Sequence, residues 1–261
     1  GATVYVRGGE YFLTESFVLN APDSGTRLAH VRYVAYRDEK PILIGGREIT
    51  GFRPYRGRIT SADLKAIGLE GVVFEDLYFG GKRQELARFP NYDADNPYAG
   101  GFSYVEEAMD PPSGTQLQYA EGAVHDWTKP TEGRVWVFPG TNYWNNIVPI
   151  ASIDREKRII TLADNTSYGI NKGDRYYVRG LFEELDAPGE WYLDKENSIL
   201  YFWPPGDVTK ARVSVPLVDD AIRIAKADAD LEWPHDIDIV GFTIEGCKGA
   251  GVAISFAERC R

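Results

Sequence analysis

Val31-Arg32-Tyr33-Val34, followed after a polar corner by Pro41-Ile42-Leu43-Ile44-Gly45-Gly46-Arg47-Glu48-Ile49-Thr50-Gly51-Phe52, is the stretch whose reading decides the fold. Each apolar burst is short, rich in β-branched and aromatic side chains, and bounded by turn residues, which marks strands and not helices. Asp38-Glu39-Lys40 and Gly45-Gly46 supply the turns without a helix cap, and no helical period survives. Upstream, Thr3-Val4-Tyr5-Val6 and the segment from Tyr11 to Leu19 read the same way, separated by Gly8-Gly9 and closed by Asn20-Ala21-Pro22-Asp23-Ser24-Gly25.

The bursts also recur. Val4 and Val6 are matched by Val31 and Tyr33, and Phe17 and Leu19 by Ile42 and Ile44, an offset of about 25 residues that suits one turn of a parallel β solenoid. The pattern resumes with Arg212-Val213-Ser214-Val215, Ala221-Ile222-Arg223-Ile224, Ile237 to Ile244 and Gly251-Val252-Ala253-Ile254. Val213 and Val215 precede Ile237 and Ile239 by about the same offset, and residues 41–52 resemble residues 236–246. An antiparallel sandwich uses similar strands and is the alternative.

Residues 53–208 lose that period and hold most of the large aromatics. Trp191 to Trp203 reads as a hairpin, two aromatic strands around Asp194-Lys195-Glu196-Asn197, closed by Pro204-Pro205. Val135-Trp136-Val137-Phe138, Ile147-Val148-Pro149-Ile150, Arg158 to Leu162 and Arg175-Tyr176-Tyr177-Val178 add further strands, and only Ser61 to Ile67 looks helical. The expected architecture is all-β: first solenoid coils over 1–52, an inserted antiparallel β-sandwich-like module over 53–208, and continuing coils over 209–261. The last piece offers about two coils and no capping segment, so the chain is expected to be part of a longer protein, its partners being further coils or a second subunit.

Composition narrows the function. With 29 basic against 39 acidic residues the 261-residue chain carries a formal charge of −10, which disfavours nucleic acid as a partner. No apolar run approaches the ~20 residues a membrane helix needs, so no membrane partner is expected. Cys247 and Cys260 permit one bridge and are expected to be buried free thiols.

Phe182-Glu183-Glu184-Leu185-Asp186-Ala187-Pro188-Gly189-Glu190-Trp191-Tyr192-Leu193-Asp194, with Leu200-Tyr201-Phe202-Trp203-Pro204-Pro205, resembles a group of bacterial right-handed parallel β-helix proteins that includes glycoside hydrolase families 120 and 141. Ala87-Arg88-Phe89-Pro90-Asn91 and Gly241-Phe242-Thr243-Ile244-Glu245-Gly246-Cys247 carry the same resemblance, which covers nearly the whole chain. It implies a secreted or periplasmic carbohydrate-active protein, a β-helix interrupted near its N-terminus by a β-sandwich. In family 120 this architecture serves a β-xylosidase whose catalytic carboxylates lie on later coils, here expected beyond Arg261. Polysaccharide lyases, epimerases and non-catalytic glycan-binding segments on the same scaffold are the alternatives.

Several residues are candidates for contact with a poly- or oligosaccharide. Glu183 and Glu184 are weak catalytic candidates, because the carboxylates of this segment also suit turns: Pro188-Gly189 bends the chain, Glu190 opens a strand and Asp194 opens the hairpin turn. Arg88 offers a planar five-donor fork and Asn91 an amide, both able to read hydroxyls, although an arginine paired with a carboxylate is the plainer reading. Trp127, Trp136 and Trp144 are candidate stacking platforms, the last inside Tyr143-Trp144-Asn145-Asn146, whereas Trp191 and Trp203 read as core. No cofactor or metal is expected, calcium being the one weak exception: His30, His125 and His235 lack zinc spacing. Asp93-Ala94-Asp95-Asn96 starts like a calcium loop but lacks its glycine and distant glutamate, and reads as a turn.

Overall fold

The structure, a computed structural model, describes residues 1–109, 111, 113–228 and 231–261. Among the described residues the regular structure is strand, apart from four short 3-10 turns, so the chain is all-β. It sorts into two compact units, one of Gly1–Thr50, Phe74–Arg83 and Val208–Arg261, the other of Gly51–Val73 and Gln84–Asp207. Phe74–Arg83, inside the stretch read from sequence as inserted, groups with the first unit because its strand Leu77–Phe79 pairs with Val213–Pro216.

The first unit contains three parallel ladders of three strands each. Val31–Ala35 lies between Thr3–Val6 and Ile237–Val240, and Pro41–Ile44 between Gly9–Phe12 and Thr243–Glu245. In the third ladder Ile222–Ala225 lies between Phe17–Leu19 and Val252–Ser255. The second tier is thus built from two distant pieces: the chain leaves it after Ile44 and completes it at Ile222. Alternate residues of these strands point to one side, where Leu19, Leu43, Ile222, Ile224 and Ile237 form a buried core flanked by half-buried Tyr33, Ile239 and Ile244.

This register corrects the sequence reading in detail. Val4 faces Tyr33 and Val6 faces Ala35, two residues along from the expected match. Phe17 faces Ile222, not Ile42, and Ile237 faces Val31, not Val213. The echo of residues 41–52 in 236–246 is likewise displaced, because Ile42 faces Thr243. Corner length is the physical reason. Residues 36–40 join two strands of the second tier where Gly241-Phe242 suffices in the third, so equivalent strands drift in sequence while staying aligned in space. Val213–Pro216 belongs to no parallel ladder but runs antiparallel between Gly46–Glu48 and Leu77–Phe79. Gly46 is obligatory there, since a Cβ at this position would sit 1.9 Å from the Val215 carbonyl oxygen.

A column of charge follows the first ladder. Asp238 is buried between Arg32 at 3.4 Å and Arg261 at 2.9 Å, and Asp236 between His30 at 3.5 Å and Arg259 at 2.7 Å. Arg261 continues the ladder, donating its amide to Ile237 and accepting that of Ile239. Both cysteines are free thiols as expected, but half-buried.

In the second unit, Glu190–Asp194 pairs antiparallel with Ile199–Phe202, the expected hairpin, which pairs onward with Ile59–Asp63 and that strand with Arg53–Arg56. The helix expected over Ser61–Ile67 is therefore a strand end followed by a 3-10 turn, Lys65–Ile67. Pairing of Ser61 with Tyr201 and burial of Ala62 outweigh local helix propensity. A second sheet orders Arg88–Phe89, Arg175–Arg179, Arg134–Val137, Asn146–Asp154, Ile159–Leu162 and Gln116–Gln118, all antiparallel. Its apolar face, including Leu117, Val135, Val137, Ile150, Ile160 and Val178, closes over one core with Trp127.

Candidate functional site

Strand alternation sets the floor of a cavity in the second unit that gathers aromatic and charged side chains together. Trp191 points into the core, so its neighbour Tyr192 and, two residues on, Asp194 share the opposite direction. Tyr201 lies directly across from Tyr192 in the hairpin, and Tyr55 comes from the edge strand Arg53–Arg56. The 3-10 turn Phe182–Glu184 adds Phe182 and Glu183, and Thr128, Lys129 and Glu132 line it too, around a volume of about 190 Å³. The rings interlock edge to face, with centroids 4.8 Å apart for Tyr55–Tyr201, 5.0 Å for Phe182–Tyr201 and 5.3 Å for Phe182–Tyr192.

Tyr192, Lys129 and Glu183 on this floor are held in fixed protonation states. Tyr192 donates its phenol to Glu132 at 2.5 Å, and burial, then Glu132, pushes its pKa upward, so it stays a neutral donor. Lys129 lies 3.2 Å from Glu132 and 3.3 Å from Glu196, and hydrogen bonds to both raise its pKa and keep it charged. Burial pushes the Glu183 carboxyl up, but the Thr128 hydroxyl at 2.6 Å and amide at 2.9 Å more than offset it and hold it below its ordinary value. Glu183 is therefore an acceptor and not a proton donor. Aromatic faces with fixed donors and acceptors on the rim have the chemistry that suits a ring of C–H bonds bearing hydroxyls.

The other residues singled out from sequence lie elsewhere. Glu184 is buried, accepting His125 Nδ1 at 2.8 Å and the indole N–H of Trp127, which is itself buried. Arg88 is buried with its guanidinium 3.5 Å from the centre of the Tyr177 ring, donating to the carbonyls of Pro90 and Gly101. Asn91 donates to Asp186 at 2.9 Å, and Trp136 stacks at 5.3 Å on Tyr177. Trp144 is 51% exposed, in a loop stitched by Asn146 to Ser167. Of these candidates only Glu183 lines the cavity. Asp93 accepts the amides of Asp95 and Asn96, both at 3.0 Å, forming a turn. Among the described residues, no three His, Cys, Asp or Glu side chains are grouped to hold a metal.

Tyr55, Tyr192, Tyr201 and Lys129 were missed because the hairpin was read by its tryptophans, of which Trp191 is buried in the core and Trp203 is half-buried beside Tyr192. The signal was present in the alternation Trp191-Tyr192-Leu193, whose second face carries the tyrosines. Glu190 was also passed over as a strand opener. Its carboxylate is buried, accepts the amides of Asp186 and Ala187 at 3.0 Å and of Arg88 at 3.4 Å, and is pushed by burial up to about 7. That value suits a catalytic acid, but enclosure by backbone donors makes this group a staple of the loop.

A solved structure of a glycoside hydrolase superposes on this chain with a TM-score of 0.74 at 20% identity, over 94% of this chain. The chain has the fold of that part of the glycoside hydrolase. It spans 43% of that protein's length. A structure of XylC with xylose also matches, at a TM-score of 0.32 and 12% identity, covering 95% of this chain and 30% of the other. No protein-family model and no curated protein matches the sequence.

Proposed function

We propose that the chain is the scaffold and substrate-binding portion of a carbohydrate-active enzyme, a glycoside hydrolase acting on plant-type poly- or oligosaccharides of xyloside or fucoside character. On this reading the three parallel ladders are the sheets of a right-handed parallel β-helix and the tiers that run across them are its coils, the antiparallel strands form a β-sandwich-like insertion in its second coil, and the relatives are families 120 and 141. A secreted or periplasmic location goes with it. The tyrosine-floored cavity carries the proposal. Its volume of about 190 Å³ is below the ~300–1,000 Å³ of pockets for drug-sized ligands, so it suits a single sugar ring. The shared fold with a glycoside hydrolase supports the same reading.

The cavity binds on this proposal and does not cleave. A glycosidase needs two carboxyls about 5 to 9.5 Å apart with one able to donate a proton, whereas the cavity's three carboxyls are engaged as acceptors, Glu183 by Thr128, Glu132 by Tyr192 and Lys129, and Asp194 by the Asn197 amide. The catalytic pair belongs elsewhere on the helix. Titration of the protein with xylose and with fucose, followed by amide and side-chain NMR shifts, tests the assignment. Saturable shifts centred on Tyr55, Lys129 and Glu183 are expected; silence of these residues with both sugars at 50-fold excess over a ~1 mM binding constant would refute it.

A further inference from the structure

Charge around the tyrosine-floored cavity is unequal, and this bears on which sugars can enter. Glu132, Glu183 and Asp194 line it against one ammonium, Lys129, an excess of two negative charges. Lys129 is itself shared between Glu132 at 3.2 Å and Glu196 at 3.3 Å, so two of its three protons are engaged by protein carboxylates. Arg56 holds its guanidinium 5.9 Å from the centre of the Phe182 ring and does not line the cavity. A ligand carboxylate entering here meets like charge and no unshared cation, which is unfavourable in a partly enclosed site.

The acceptors are unequal as well. Asp194 engages its two oxygens with the amide and side-chain nitrogens of Asn197, at 2.9 and 2.8 Å, and Glu132 engages its own with Tyr192 and Lys129. Glu183 turns a single oxygen, Oε1, to both the amide and the hydroxyl of Thr128. Its Oε2 accepts no hydrogen bond from another residue among the described ones, so this carboxylate is fixed through one oxygen and open at the other. An ionised, partly buried carboxylate oxygen calls for a donor, and bonds to it are stronger than neutral ones. A sugar hydroxyl supplies that donor; a second carboxylate does not.

We propose that Glu183 is the specificity-determining residue of this cavity, its Oε2 taking a hydroxyl of a neutral sugar and, with Glu132 and Asp194, turning uronic acids away. The inference rests on the sugar-binding reading of the cavity and adds to it a selection by charge.

Three methyl glycosides separate charge from size in NMR titrations of the whole chain: the β-xyloside, the β-glucoside, which adds a hydroxymethyl group, and the β-glucuronide, which carries a carboxylate in its place. The xyloside and glucoside are expected to bind within about threefold of each other and the glucuronide at least about tenfold more weakly. Raising sodium chloride from about 20 to about 500 mM should strengthen glucuronide binding about threefold and leave the neutral pair unchanged. In Glu183→Gln the amide oxygen can still accept from Thr128 while an NH₂ replaces Oε2. Xyloside binding should fall about tenfold and the preference for glucoside over glucuronide should shrink to about twofold or less, with a melting temperature within about 3 °C of the parent.

Equal binding of glucoside and glucuronide by the parent overturns the proposal. So does loss of the glucoside together with the glucuronide, which makes the exclusion one of size, and so does an unchanged preference in Glu183→Gln. Should that variant fail to fold, the salt series on the parent decides, and glucuronide binding that ignores salt overturns it. In each case saturable xyloside shifts at Tyr55 leave the sugar-binding reading standing; silence with all three glycosides overturns both.

Discussion

Replacing Glu190 by Gln tests how the loop behind the cavity is held. In the folded protein this carboxyl is buried and its pKa is pushed from the ordinary 4.5 up to about 7, burial being the largest cause. A raised carboxyl pKa means that the folded state binds the proton more tightly than the unfolded one, so the group's stabilising contribution is complete below pH 4.5 and lost as pH rises through 7. At about 1.4 kcal/mol for each tenfold change in proton affinity, that interval is worth roughly 3 kcal/mol. Gln cannot ionise. Its carbonyl can accept the Asp186 and Ala187 amides, while its NH₂ faces the Arg88 amide, a mismatch of about 1 kcal/mol. The variant is therefore expected to be less stable than the parent by about 1 kcal/mol at pH 4 and more stable by about 2 kcal/mol at pH 8. Urea unfolding followed by tryptophan fluorescence at both pH values measures the two gaps. A gap that stays constant, or a cost of Gln that grows with pH, refutes the reasoning.

Other outcomes follow from the same contacts. Tyr55→Ala, on an edge strand and 49% exposed, should weaken sugar binding by about threefold to tenfold in calorimetry while shifting the melting temperature little. Trp127→Ala removes a buried indole and strips Glu184 of a donor, and should cost about 3 to 5 kcal/mol in urea unfolding. Gly46→Ala should lower the melting temperature by more than 5 °C or prevent folding, because its Cβ would overlap the Val215 carbonyl; differential scanning calorimetry reads this directly.

Much of the architecture was legible in the sequence because it rests on local rules. Short β-branched bursts between Gly, Pro and Asp turns mark strands whatever their partners, and the Trp191–Trp203 hairpin carries its own turn. Pairing was less legible, since the partner of Phe17–Leu19 is Ile222–Ile224, some two hundred residues away across the interruption. Unequal corners, residues 36–40 against Gly241-Phe242, hid the true repeat. At the site, Arg88 and Trp127 have the chemistry of ligand contacts but are enclosed, and enclosure depends on tertiary packing that no local pattern encodes. Tyr192 and Tyr201 were in plain view as alternate residues of an aromatic hairpin, and only the choice of inward face was needed to expose them.

The most direct test of the tyrosine-floored cavity as a sugar site is a crystal structure of the chain grown with saturating xylose or fucose. A ring resting on Tyr55 and Tyr201 with hydroxyls on Glu183 and Lys129 is the expected result. A cavity left empty while the sugar occupies the Trp144 loop would contradict it.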